Sequence, residues 1–203
     1  MRLSFIARLV LASALLASAI VAGGCSVLGA DESAELVDVT DSIALFHFKV
    51  PGDWQRTVET GLIAVSDGDE ELDPQQETLD RFWMLVYTSS EPSDTPLAEN
   101  LTYLVEQRAQ LRGWQALETD DPAETTVGGR EAAVLTANAT DVNGIDFTAR
   151  YYFVRTVANE VLIIAMAPRD MFDDYVDDID ATVGERWFWS STAGQTETTP
   201  TAE

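Results

Sequence analysis

The stretch Phe46-His47-Phe48-Lys49-Val50-Pro51-Gly52-Asp53-Trp54 decides how the rest of the chain is read. Phe46, Phe48 and Val50 alternate with His47 and Lys49, the period of two that puts one set of side chains on each face of a β-strand. The pattern predicts a strand over Ile43–Val50. Pro51-Gly52-Asp53 is a turn signal, and Trp54 follows it.

Strand signals recur downstream. Gly61–Ser66 is a short one, followed by an acidic loop, Asp67–Asp80, that contains Pro74. Arg81–Thr88 and Val161–Ala167 are apolar at successive positions, which predicts strands covered on both faces. Trp114–Leu117 is a further short strand. Glu131–Ala139 and Phe147–Val157 flank Asn143-Gly144, and Gly128-Gly129 precedes them; both dipeptides are hairpin signals. Asn159 marks another turn. Two segments carry the helical period instead. In Pro96–Arg112, Leu97, Leu101, Leu104, Arg108 and Leu111 recur with Val105 beside them. Thr95 is placed to cap this helix, Pro96 to open it and Gly113 to end it. In Asp170–Glu185, Phe172, Tyr175, Val176, Ile179 and Val183 fall on one side, and Asp170, Asp173, Asp174, Asp177, Asp178 and Asp180 on the other. Trp187, Phe188 and Trp189 follow. Hairpin-joined strands with two amphipathic helices predict an α+β fold, a three-layer α/β/α sandwich around a mostly antiparallel sheet.

The 203 residues suffice for one such domain. A single Cys and a single His exclude an internal disulfide, a CxxC site and a His-cluster metal site. With 35 acids against 12 bases the formal charge is −23, which opposes nucleic-acid binding. Residues 1–24 read as a signal peptide: Arg2 and Arg8, an apolar run over Leu9–Ala22, then Gly23-Gly24 before Cys25. This ending resembles the lipobox of bacterial lipoproteins, in which the cysteine after the cleavage point is lipidated. The expectation is therefore a protein on the extracytoplasmic face of a bacterial membrane, anchored through Cys25. The signal holds two Arg and no acid, so its removal takes the net charge to −25 and leaves Lys49 as the chain's single lysine. Anionic headgroups repel such a surface, so the anchor and not the body holds the molecule to the membrane. Residues 25–41 are expected to be a flexible tether, 42–189 the domain and 190–203 a disordered tail.

The domain resembles the PsbP-like superfamily (Mog/PsbP/LpqN type), and its bacterial envelope lipoprotein branch in particular. Four features carry the resemblance: the strand into Pro51-Gly52-Asp53-Trp54, the helix Pro96–Arg112, the hairpin segment Gly129-Arg130-Glu131-Ala132, and a long hairpin leading to a last helix over Phe147–Trp187. The resemblance implies a non-catalytic module that binds or helps assemble a partner, an unidentified envelope protein or ligand. No cofactor and no metal are expected.

The candidate chemistry is sparse. His47 is the only imidazole base, and no G-x-S-x-G elbow accompanies it, so no catalytic residue is assigned. Asp67, Asp69, Glu71 and Asp73 alternate like the start of an EF-hand loop, but Leu72 stands where Gly is required and Thr78 where Glu is required. The five Trp side chains are read as core. The aspartates of the last helix, Asp170, Asp174, Asp177 and Asp178, form the candidate cation or partner surface. Alternatives are a cell-envelope hydrolase using paired carboxylates and a weak divalent-cation binder.

Overall fold

The computed structural model describes residues 35–43, 45–68 and 79–190. In chain order these form β1 (Leu36–Thr40), β2 (Phe46–Pro51), β3 (Gln55–Glu59), β4 (Leu62–Ser66), β5 (Trp83–Ser89), α1 (Leu97–Arg112), β6 (Gln115–Thr119), β7 (Ala123–Val127), β8 (Arg130–Thr140), β9 (Asp146–Arg155), β10 (Glu160–Pro168), a 3₁₀ turn Phe172–Tyr175, α2 (Val176–Val183) and β11 (Trp187–Trp189). All strand pairs are antiparallel. Eight strands make one sheet in the order β3-β4-β5-β10-β9-β8-β6, with β7 also paired to β8. The other three make a small sheet, β1-β2-β11.

The apolar strands lie where their composition puts them. β5 and β10 are neighbours at the centre of the large sheet, and the alternate side chains of each enter two separate cores. On one face Val161, Ile163 and Ala165 of β10 pack with Tyr152 and Val154 of β9, the inner residues of the small sheet, and Ile179 and Val183 of α2. On the other face Ile164 and Met166 pack with Tyr151 and Phe153, and with Leu101 and Val105 of α1. The fold is thus mostly antiparallel sheet with two short helices. One side is covered by α1, the other by the small sheet and the eight-residue α2.

Several local expectations are corrected. Residues 36–40, placed in the flexible tether, form β1: Val39 is buried while Leu36, Asp38 and Thr40 face outward, a period of two that a five-residue strand shows only weakly. Thr95 does not cap α1. Its hydroxyl accepts from the Ser93 hydroxyl, while Pro96 itself takes the N-cap position, with no side-chain cap, and its carbonyl accepts from the Asn100 N–H. Leu111 is 84% exposed, because the buried row of α1 is Leu101, Val105 and Ala109 at i, i+4, i+8. Gly113 ends α1 as predicted, in the left-handed conformation at φ 67°. The last helix is half its predicted length: its first turn is 3₁₀ and it ends at Val183, before Gly184. The signal peptide, Cys25 and residues 191–203 lie outside the described residues.

One turn ties the layers together. Gly128, at φ 53°, sits in the β7–β8 turn and donates its N–H to the Val183 carbonyl at the end of α2. A Cβ there would lie 2.8 Å from the Trp187 carbonyl oxygen and 2.9 Å from Trp189 Nε1, so only glycine fits. The Trp189 indole in turn donates to the Val127 carbonyl at 2.8 Å.

Candidate partner surface

The segment from Asp170 to Arg186 is held from below and charged above. Phe172, Ile179, Thr182 and Val183 are buried, so the 3₁₀ turn and α2 are seated on the large sheet through one side. Asp170, Asp173, Asp174 and Asp177 are exposed. They make no ion pair among the described residues. Asp178 differs from them. It is half-buried and accepts from Arg186 at 3.1 Å, so it is partly neutralised.

Asp180, at the far end of the same helix, is also taken up. One of its oxygens accepts from Arg150 Nη1 at 2.9 Å and from the Tyr152 hydroxyl at 3.3 Å. Arg150 and Tyr152 stand two apart on β9, so both reach out of the same sheet face to meet α2. A cleft of 480 Å³ opens beside this group, lined also by Thr125, Thr136, Val134 and Gly184. Sequence reasoning missed the cluster. Its trace was Arg150, a guanidinium set mid-strand between Ala149 and Tyr151 rather than at an end, a residue that needs a partner when its neighbours are buried.

Burial pushes the Tyr152 phenol up to about 12, and the Asp180 carboxylate adds to this while Arg150 opposes it. The unfolded phenol ionises near pH 10. A raised folded value means that the native state holds the proton longer. The corresponding stability is present in full below pH ~10 and is lost as pH rises towards about 12. Titration by phenolate absorbance is expected to show this tyrosine ionising late, together with alkaline unfolding. Tyr152→Phe should reduce the late step by one phenol and leave that of Tyr175.

A second polar group lies at the β9–β10 turn. Arg155 Nε donates to Glu160 Oε1 at 3.0 Å, and the same oxygen accepts the Ser93 N–H at 2.9 Å. Grooves of 620 and 470 Å³ adjoin it, sharing Leu97, Glu131 and Arg155 in their walls.

The remaining sequence candidates are placed as follows. His47 lies on β2, half-buried and stacked on Phe188 with ring centres 5.0 Å apart. Of the EF-hand-like run only Asp67 is among the described residues, where it accepts from the Tyr175 hydroxyl. Burial and that carboxylate raise the Tyr175 phenol well above its ordinary range. Among the described residues no three His, Cys, Asp or Glu side chains group as metal ligands. Trp54, Trp83 and Trp187 are buried, and Trp114 and Trp189 half-buried; they pack in the cores and form no shared exposed platform.

The architecture, an α1-backed antiparallel sheet covered on its other face by a small sheet and a short acidic helix, is that of the PsbP-like fold, as its likeness to solved structures shows. No protein-family model matches the chain, and no curated protein matches it by sequence. Solved structures match it by fold. Cyanobacterial PsbP (CyanoP) from Synechocystis sp. PCC 6803 superposes with a TM-score of 0.54 at 16% identity, over 81% of this chain and 98% of that one. LpqN of Mycobacterium tuberculosis, involved in cell envelope biogenesis, gives 0.53 at 18% identity, over 78% and 92%. A point mutant of the protein Mog1 gives 0.55 at 13% identity, over 78% and 98%. At these identities the likeness is one of fold.

Proposed function

We propose that this chain is an extracytoplasmic envelope protein, held to a bacterial membrane by a lipid on Cys25, that binds or helps assemble a basic partner without catalysis. The observation that carries the reading is the seating of the acidic segment. Asp170, Asp173, Asp174 and Asp177 point outward from a backbone fixed on its other side by Phe172, Ile179 and Val183. Exposed like charges crowded on one short segment repel one another. A surface that keeps them unneutralised is complementary to a cationic one. The envelope role of LpqN, which has the same fold, supports the setting. No helix of the described residues is long and apolar enough to cross a membrane; in this reading the lipobox-like ending at Cys25 supplies the attachment.

The test is affinity capture from the native envelope with the mature chain and with the triple variant Asp170→Asn, Asp174→Asn, Asp177→Asn. Asp178 is left alone because of its bond to Arg186. The variant is expected to melt at the same temperature or slightly higher, since repulsion is relieved, and to lose the captured partner. Equal capture by both proteins would overturn the assignment of this face. A rise in melting temperature with millimolar Ca²⁺ in the native protein alone would replace the basic partner by a cation.

A further inference from the structure

The cleft beside Asp180 lies between the end of α2 and the strands β7, β8 and β9. Register sets its floor: Thr136 lies across from Arg150, Val134 from Tyr152, and Thr125 from Ala132. Asp180, Val183 and Gly184 close the other side. Backbone bonds fix its shape. The Val183 carbonyl accepts the Gly128 N–H at 2.8 Å, and the Gly184 N–H donates to the Asp180 carbonyl at 3.0 Å. The polar groups of the cleft are only partly used. Asp180 Oδ1 takes both Arg150 and Tyr152, while Oδ2 accepts from no described residue. The side-chain hydroxyls of Thr125 and Thr136, both half-buried, likewise have no hydrogen-bond partner among the described residues.

We infer that this cleft binds an uncharged saccharide. The site is separate from the partner surface proposed above, which uses aspartates earlier in the segment. Charge selects against other small polar ligands. Arg150 and Asp180 neutralise each other at 2.9 Å, so neither charge is left over to hold an ion. An anion would also approach a molecule of formal charge −23, with Glu124 and Glu131 exposed on β7 and β8. A cation would meet the Arg150 guanidinium. Hydrogen bonding selects further. Arg150 can only donate, Asp180 Oδ2 can only accept, and each threonine hydroxyl does both. A small molecule that matches this mixture carries several groups that donate and accept, set round a compact frame. The hydroxyls of a sugar ring are such groups, and Val134 and Val183 offer apolar surface to its C–H side. The volume, 480 Å³, falls within the range of about 300–1,000 Å³ usual for small-ligand sites.

The test titrates the full chain, in sugar-free detergent, with glucose, N-acetylglucosamine and maltose as neutral probes and with glucuronate and glucosamine as charged ones. Binding is followed by amide chemical shifts in NMR spectra. At least one neutral probe is expected to bind in the millimolar range, more tightly than either charged probe, with the shifts gathered at residues 125, 136, 150 and 184. Thr125→Val and Thr136→Val each remove a hydroxyl at nearly constant volume. Each should weaken that binding roughly five- to tenfold and leave the melting temperature unchanged. Asp180→Asn uncovers the Arg150 charge and should raise the affinity for glucuronate. The triple variant Asp170→Asn, Asp174→Asn, Asp177→Asn should bind the neutral probe as the native chain does, so loss of the basic partner and loss of the sugar are separable. No shift at these residues with any neutral probe overturns the inference. So does full binding by both threonine variants, or a native preference for glucuronate or glucosamine.

Discussion

Ile179→Asp is expected to abolish the native fold. Ile179 is 1% exposed, in the core between α2 and the large sheet. The change removes an apolar side chain from a close-packed site and leaves an unpaired charge where no water reaches. Together these place the cost at about 4–5 kcal/mol or more, the range of the most damaging single substitutions. In a domain of this size each kcal/mol moves the midpoint by roughly 2–4 °C, so the melting transition should fall by about 10–20 °C or disappear. Ile179→Val, which keeps the chemistry and loses one methylene, should cost only about 1 kcal/mol. Circular dichroism melts of the three proteins check this. A cooperative Ile179→Asp transition near the native midpoint would contradict the seating of α2, and with it the outward assignment of the aspartates.

Trp187→Ala is the second large effect. The indole is 2% exposed and packs against both Phe46, at 4.6 Å between ring centres, and Phe48, at 4.9 Å and nearly parallel. Truncation of such a residue costs about 3–5 kcal/mol, since the cavity collapses only partly. Its Nε1 is buried and has no hydrogen-bond partner among the described residues. Trp187→Phe therefore removes an unsatisfied donor along with the bulk, and is expected to cost much less than Trp187→Ala. The next residue gives the contrast: Phe188, on the outer face, should tolerate Ser with a change within about 0.5 kcal/mol. Urea unfolding of the four proteins measures the set, with the slope unchanged if the variants stay two-state.

The parts of the fold legible in the sequence are those where one physical signal dominates. β2 shows strict alternation because its two faces meet very different surroundings. β5 and β10 read as central because both faces are buried. The Gly128-Gly129 and Asn143-Gly144 turns were legible because Gly128, Gly129 and Gly144 all need positive φ. β3 and β7 were not legible. Gln55-Arg56-Thr57-Val58-Glu59 and Ala123-Glu124-Thr125-Thr126-Val127 are largely exposed edge strands, so burial writes almost no pattern into them. The last helix was overextended because its apolar period continues through residues that the chain uses for a 3₁₀ turn and a glycine exit. The aspartates themselves were found by their spacing. Their division into exposed and paired groups was not, because Arg150 and Arg186 reach Asp180 and Asp178 from residues 30 and 8 positions away.

The pairing of β2 with β11 also fixes an order in time. Phe48 is opposite Trp187, about 140 residues later in the chain. Closing a loop of that length costs about 4 kcal/mol of chain entropy before any contact rewards it. The hairpins β3–β4, β7–β8 and β8–β9 need only short closures and can form as the chain emerges. The inner faces of Phe46 and Phe48 cannot be covered by the indoles until the final strand arrives. A growing chain therefore carries a sticky, half-finished sheet near its beginning throughout its synthesis. Folding is completed by the last strand, and a chain cut short before Trp187 would present those aromatics to proteases and to other unfinished chains.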